Sequence, residues 1–216
     1  MRDLTELIQN LTENSFLKRL AIVGGQDDAL LIALSPLFKS THAYSDDARI
    51  APYEDPEKGI AFYQMPTREV IDQLSRYDVI LFERSIHRLT DLEQLWVYDK
   101  IGHYQELYIV EWDFTGSLDA FTRAFMDITP LCTLARGILN RFVSDGRIEI
   151  ESAAKGRTNV HVHTRQDLVS YYKYVMPNYF NYGEKDFLRR LGGLPLPITL
   201  WEGFDLFKIQ KAEPRS

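Results

Sequence analysis

The chain alternates short apolar runs with stretches of helical period. Leu4, Leu7, Ile8 and Leu11 recur at helical spacing with polar residues between them, which predicts an amphipathic helix ahead of the first strand. Leu20-Ala-Ile-Val23 is an apolar, β-branched run. It predicts a strand over about 19–23 that runs straight into Gly24-Gly25. A helix over about 27–38 follows, with Asp27 or Asp28 placed at its N-cap. Short strands are predicted at 41–45 and 60–64, separated by a loop carrying Pro52, Pro56 and Gly59. Val70, Ile71 and Leu74 then share one helix face. Tyr77-Asp-Val-Ile-Leu-Phe-Glu83 is the clearest strand, and its unbroken apolar centre suits burial on both faces. Leu89, Leu92, Leu95 and Trp96 predict another helix, and residues 106–112 a fifth strand.

Strands alternating with helices predict an α/β fold whose sheet is parallel and covered on both faces. Right-handed crossovers put the strand C-termini on one edge. The C-terminal third reads differently. A helical stretch spans about 117–142. Residues 147–152 and 158–164 both alternate with period two, and the Lys155-Gly156-Arg157 segment between them predicts a hairpin turn. Helices are expected near 165–175 and 184–191, and two further strands at 198–201 and 204–209. No internal repeat or low-complexity run is visible.

Length and composition narrow the class. The 216 residues, 45% of them hydrophobic, suffice for one well-buried core, so a single domain over 1–216 is expected. A net charge of −6 argues against a general nucleic-acid binder, which needs clustered Lys and Arg. Cys132 is the sole cysteine, so no internal disulfide forms and a cytoplasmic setting is expected. The N-terminus mixes charges with leucines and is not a signal peptide. No window approaches the roughly 18 apolar residues of a membrane span, and no membrane partner is expected.

The order of elements resembles that of the class I S-adenosylmethionine-dependent methyltransferases over roughly 17–116 and 184–211. Ala21-Ile-Val-Gly-Gly-Gln-Asp is similar to the family's glycine-rich first motif, and Ala43-Tyr-Ser-Asp-Asp-Ala-Arg-Ile50 to its second. Gly59-Ile-Ala-Phe-Tyr-Gln-Met-Pro66 is similar to the segment flanking the adenine, and the 77–89 stretch to the fourth motif. The first motif departs from the family pattern. Ile22 stands where an acid is usual, and Gln26 and Asp28 replace later glycines. The resemblance implies a Rossmann-like, doubly wound, mostly parallel sheet of about seven strands with an antiparallel C-terminal strand. It also implies S-adenosylmethionine as cofactor, and it makes 143–183 an insert of hairpin plus tyrosine-rich lid.

Site residues follow from the motifs and from the chemistry of the side chains. Gly24, Gly25 and Gln26 would underlie the methionine part of the cofactor, Asp46 would hold the ribose hydroxyls, and Gln64 and Met65 would flank the adenine. Asp46 stands about twenty residues after the glycines, the spacing at which a carboxylate meets a ribose; Asp47 competes with it. Glu83 ends the best strand at the crevice and is expected to contact cofactor or serve as a base. His87 is the other candidate base, because histidine is the side chain most often used for general acid–base work. Glu111 ends the fifth strand and is expected to face an acceptor's amine. Tyr171, Tyr174 and Tyr179 belong to a stretch of five tyrosines and one phenylalanine over 171–182, suited to an acceptor lid or to a partner contact. His161 and His163 lie two apart, but no third ligand follows at recognisable spacing and no metal is expected.

Two functions are expected from these observations. One is a methyltransferase acting on a small-molecule acceptor, with a homodimer among its expected assemblies. The other is a non-catalytic interaction module on the same fold, favoured by the altered first motif. A receiver-like signalling domain fits less well, because Glu83 replaces the required Asp and no Lys ends a fifth strand.

Overall fold

The computed structural model describes residues 4–24, 28–46, 54–100, 104, 106–123, 127–175, 185, 187, 189 and 193–212. Seven strands form one sheet: β1 (Arg19–Val23), β2 (Ser40–Ser45), β3 (Ile60–Gln64), β4 (Val79–Glu83), β5 (Glu106–Trp112), β6 (Ile148–Val162) and β7 (Ile198–Lys211). Their order is β3-β2-β1-β4-β5-β7-β6. The first five run parallel, and β7 lies antiparallel between β5 and β6. The expected mostly parallel sheet with an antiparallel C-terminal strand is therefore present.

Alternation along the strands divides the core between two faces. Leu20 and Ile22 of β1, Val79 and Leu81 of β4, and Tyr108 and Val110 of β5 face helices α1 (Leu4–Leu11) and α2 (Asp28–Leu34). Ala21, Val23, Ile80, Phe82, Leu107 and Ile109 face the other way. They pack there on α3 (Thr67–Val70), on α4 (Asp91–Asp99) and on the long helix α6 (Thr129–Ser144) through Val70, Val97, Leu139 and Phe142. A run of four or five strand residues with no polar interruption is what burial on both faces demands.

Four expectations about the elements need correction. The helix expected over 27–38 is α only to Leu34 and then tightens to a 3-10 turn over Ser35–Leu37, where Pro36 supplies no amide hydrogen. The stretch expected as one helix over 117–142 holds two, α5 (Ser117–Arg123) and α6, the second with Pro130 in its first turn. The hairpin expected around Lys155-Gly156-Arg157 does not form. Residues 148–162 make one continuous strand, and 198–211 likewise make one strand rather than two.

Gly156 and Gly203 mark close packing rather than turns. A Cβ on Gly156 would come within 2.2 Å of the Phe204 ring, which lies across from it in the ladder. A Cβ on Gly203 would meet the Asp113 carboxylate at 1.9 Å. The β6–β7 ribbon thus runs on past the end of β5, whose last residue Trp112 pairs with Phe204. Beyond that point it carries a third core of Leu118, Val162, Leu168, Val169, Phe187 and Leu200. Helix α7 (Arg165–Val175) follows β6 on this side, the side of the strand C-termini. Among the described residues no helix is long and apolar enough to cross a membrane.

Candidate functional site at the strand C-termini

Three parallel strands end side by side at β3, β2 and β1. The amide of Gly24 donates to Tyr44 O at 2.8 Å, and the amide of Met65 donates to Ser45 O at 2.9 Å. Gly24, Asp46 and Met65 are thereby brought to one edge. Gly24 has φ +91°, a conformation that glycine adopts without strain. A Cβ there would meet Ser85 Cβ at 2.3 Å and Glu83 O at 2.7 Å. The Ser85 hydroxyl in turn donates to Val23 O at 2.8 Å. This glycine lets the ends of β1 and β4 close on each other, and Ser85 fills the space beside it.

Asp46 follows β2 with its carboxylate half exposed, 3.4 Å from Arg88 Nη1. Gln64 is exposed, and Met65 is half-buried against the core. A solvent-facing carboxylate beside an apolar edge suits a nucleoside: the acid accepts from vicinal hydroxyls and the edge packs on a base. Gly25, Gln26 and Asp47 lie outside the described residues, so the remainder of the first motif does too. Tyr171 and Tyr174 sit on α7 without described side chains, and Tyr179 is also outside the described residues.

Glu83 and Glu111 do not share a site. Glu83 pairs with Val110 in the ladder and so faces the α1/α2 side. Glu111 follows Ile109 by two and faces the α6 side. His87 joins Glu111. The short 3-10 turn over Ile86–Arg88 carries its ring beneath the end of β5, where Nδ1 stands 3.0 Å from each Glu111 oxygen. With a carboxylate on that side the neutral ring carries its hydrogen on Nδ1, which leaves Nε2 as proton acceptor. The Trp112 ring lies 5.7 Å from the imidazole, centre to centre.

A further member was missed in the sequence. Cys132, in the second turn of α6, donates its Sγ–H to Glu111 Oε2 across 3.6 Å. Burial and the adjacent Glu111 charge push this thiol's pKa up. Twenty-one residues separate Cys132 from Glu111, and no local spacing connects them. Only the packing of α6 on β5 does so.

A buried cation also borders the site. Arg84, at φ +48°, turns the chain sharply after β4 and places Nη2 3.0 Å from Glu202 Oε2 on β7. Its guanidinium carbon lies 5.4 Å from the Trp112 ring centre. Nearby, Asp119 of α5 accepts from the amides of Gly116 and Gly203 at 2.9 and 3.2 Å. Burial nevertheless raises its pKa to about 6.

No protein-family model matches the chain, and no curated protein does either. Solved structures do. A candidate methyltransferase from Bacillus halodurans C-125 superposes with a TM-score of 0.56 at 11% identity over 97% of this chain and 99% of its own. A candidate RNA methyltransferase from Pyrococcus horikoshii gives 0.52 at 10% identity, covering 97% of this chain and 82% of its own. A protein of the NADB-Rossmann superfamily from Streptococcus agalactiae gives 0.52 at 11%, covering 100% and 71%. Strand order and these likenesses agree: the chain has the Rossmann-like fold of the class I methyltransferases.

Proposed function

We propose that the protein is an S-adenosylmethionine-dependent methyltransferase acting on a small-molecule acceptor. The observation that carries this reading is the meeting of Gly24, Asp46 and Met65 at the C-terminal ends of β1, β2 and β3 in a sheet of methyltransferase order. Asp46 would exchange its long contact with Arg88 for two ribose hydroxyls. Met65 and Gln64 would flank the adenine. The bound donor supplies an electrophilic methyl group on a sulfonium.

Methyl transfer by in-line displacement asks the protein chiefly to align the two reactants. Where the acceptor must lose a proton, His87 would take it. Glu111 fixes the ring's tautomer through Nδ1 and stabilises the imidazolium that forms at Nε2. Glu83, on the other face of the sheet, would act on the cofactor side. The chain's net charge of −6 supports a small acceptor over a nucleic acid.

Isothermal titration tests the reading. Binding heat with S-adenosylmethionine, abolished by prior saturation with S-adenosylhomocysteine, is expected. No heat at millimolar donor overturns it. The second reading, an interaction module, is favoured by Ser85 occupying the space beside Gly24. It predicts no donor heat together with an oligomeric elution volume.

A further inference from the structure

We infer that His87, Glu111 and Cys132 form a binding site for a thiophilic divalent cation of the zinc class. Each residue offers one ligand atom, and all three atoms lie within 4.8 Å of one another. Imidazole nitrogen, carboxylate oxygen and thiolate sulfur are the ligand types zinc takes, and softer thiolate disfavours Mg²⁺ and Ca²⁺. On a tetrahedral zinc, with bonds of about 2.0–2.3 Å, ligand atoms stand roughly 3.4–3.6 Å apart. Glu111 Oε2 and Cys132 Sγ stand 3.6 Å apart, and His87 Nδ1 and Glu111 stand 3.0 Å apart. To hold an ion the carboxylate would withdraw from the ring by a few tenths of an ångström, and the ring and the thiol, which lie within 4.8 Å of each other, would close to a tetrahedral edge.

The charges suit the same occupant. Binding removes the hydrogen from Cys132 Sγ and passes it to solvent, so one thiolate and one carboxylate balance a dication. The imidazole gives up its Nδ1 hydrogen and carries one on Nε2 instead. A ring in that state accepts no proton at Nε2, so metal-bound and proton-accepting forms of His87 exclude each other. Three protein ligands leave a fourth position for water or an added ligand. The cluster is buried: the His87 side chain is 6% exposed, that of Glu111 2%, and Cys132 is fully buried, so the imidazole is its outermost member. Sequence spacing holds no sign of it, since the ligands come from the turn after β4, the end of β5 and the N-terminal part of α6.

Cobalt(II) titration of the purified protein, without donor or acceptor, is the test, and it is independent of the methyl-transfer reading. One equivalent of Co²⁺ is expected to give the intense visible bands of tetrahedral cobalt and a thiolate-to-cobalt charge-transfer band, both displaced by Zn²⁺. Because Cys132 is the sole cysteine, that charge-transfer band reports it without any substitution. Cys132→Ser should lose the band, and His87→Ala should bind at least about tenfold more weakly. The weak spectrum of octahedral cobalt in the unaltered protein, with no sulfur band at excess metal, overturns the inference. So does a folded His87→Ala protein whose affinity and bands are unchanged.

Discussion

Ser85 occupies the space that a side chain on Gly24 would need, and its hydroxyl closes onto Val23 O. The glycine turn after β1 is thereby a packing requirement before it is anything else. Gly24→Ala meets both a positive φ and contacts well under 3 Å with Ser85 and with Glu83 backbone. Urea unfolding should show a loss of about 2–4 kcal/mol. Ser85→Ala clears the side-chain contact but leaves Glu83 O in place, so the double variant should recover only part of the loss. Full recovery would mean that the backbone at Glu83 yields.

Gly156 and Phe204 make a second such pair, in the middle of the β6–β7 ladder. Gly156→Ala should cost about 1–3 kcal/mol, because the ring must leave its place over the backbone. Combining it with Phe204→Leu should cost less than the sum of the two single changes. A double-mutant cycle with strictly additive values would sever the proposed link between them.

Asp46 is half exposed and contributes little to the core, so Asp46→Ala should leave the melting temperature nearly unchanged. Loss of a charged acceptor from two hydroxyls should weaken donor binding roughly 10- to 100-fold. Unchanged affinity by calorimetry would remove Asp46 from the ribose role and bring Asp47 forward.

Asp119 gives stability a pH dependence of defined sign. Its folded pKa, about 6, lies above the ordinary carboxylate value of 3.8, so the folded state binds more protons between those limits. Unfolding free energy should therefore fall as pH rises from about 4 to about 6, by on the order of 1 kcal/mol after solvent screening. Asp119→Asn keeps an acceptor for the Gly116 and Gly203 amides and should remove that part of the slope. Chemical denaturation at several pH values measures it.

The Arg84–Glu202 pair is buried on both sides, and breaking it by Glu202→Leu should cost about 3–5 kcal/mol, because the guanidinium stays behind in the interior. Replacing both residues with apolar ones should cost far less, which unfolding of the two variants compares directly.

The parallel half of the sheet was legible because its strands are short and bounded by turn signals, and all but β2 have an apolar centre. Residues 19–23, 60–64 and 106–112 are strands at those bounds. The C-terminal half was harder. Gly156 and Gly203 look like turn residues in sequence, whereas Phe204 and Asp113, far away along the chain, are what exclude a Cβ. For the site, strand ends were readable but facing was not: Glu83 and Glu111 each end a strand, yet the ladder register sends them to opposite sides of the sheet. The partnership of His87 with Glu111 and Cys132 depends on how α6 lies on β5, which no local pattern encodes.

The β6–β7 ribbon outruns its neighbour β5 and rests there on six apolar side chains of its own. With so small a core, the overhang should open more readily than the two layers that cover the central strands. Amide protons of residues 157–162 should consequently trade for deuterium sooner than those of β4, so that the outer margin of the sheet breathes while its centre stays shut.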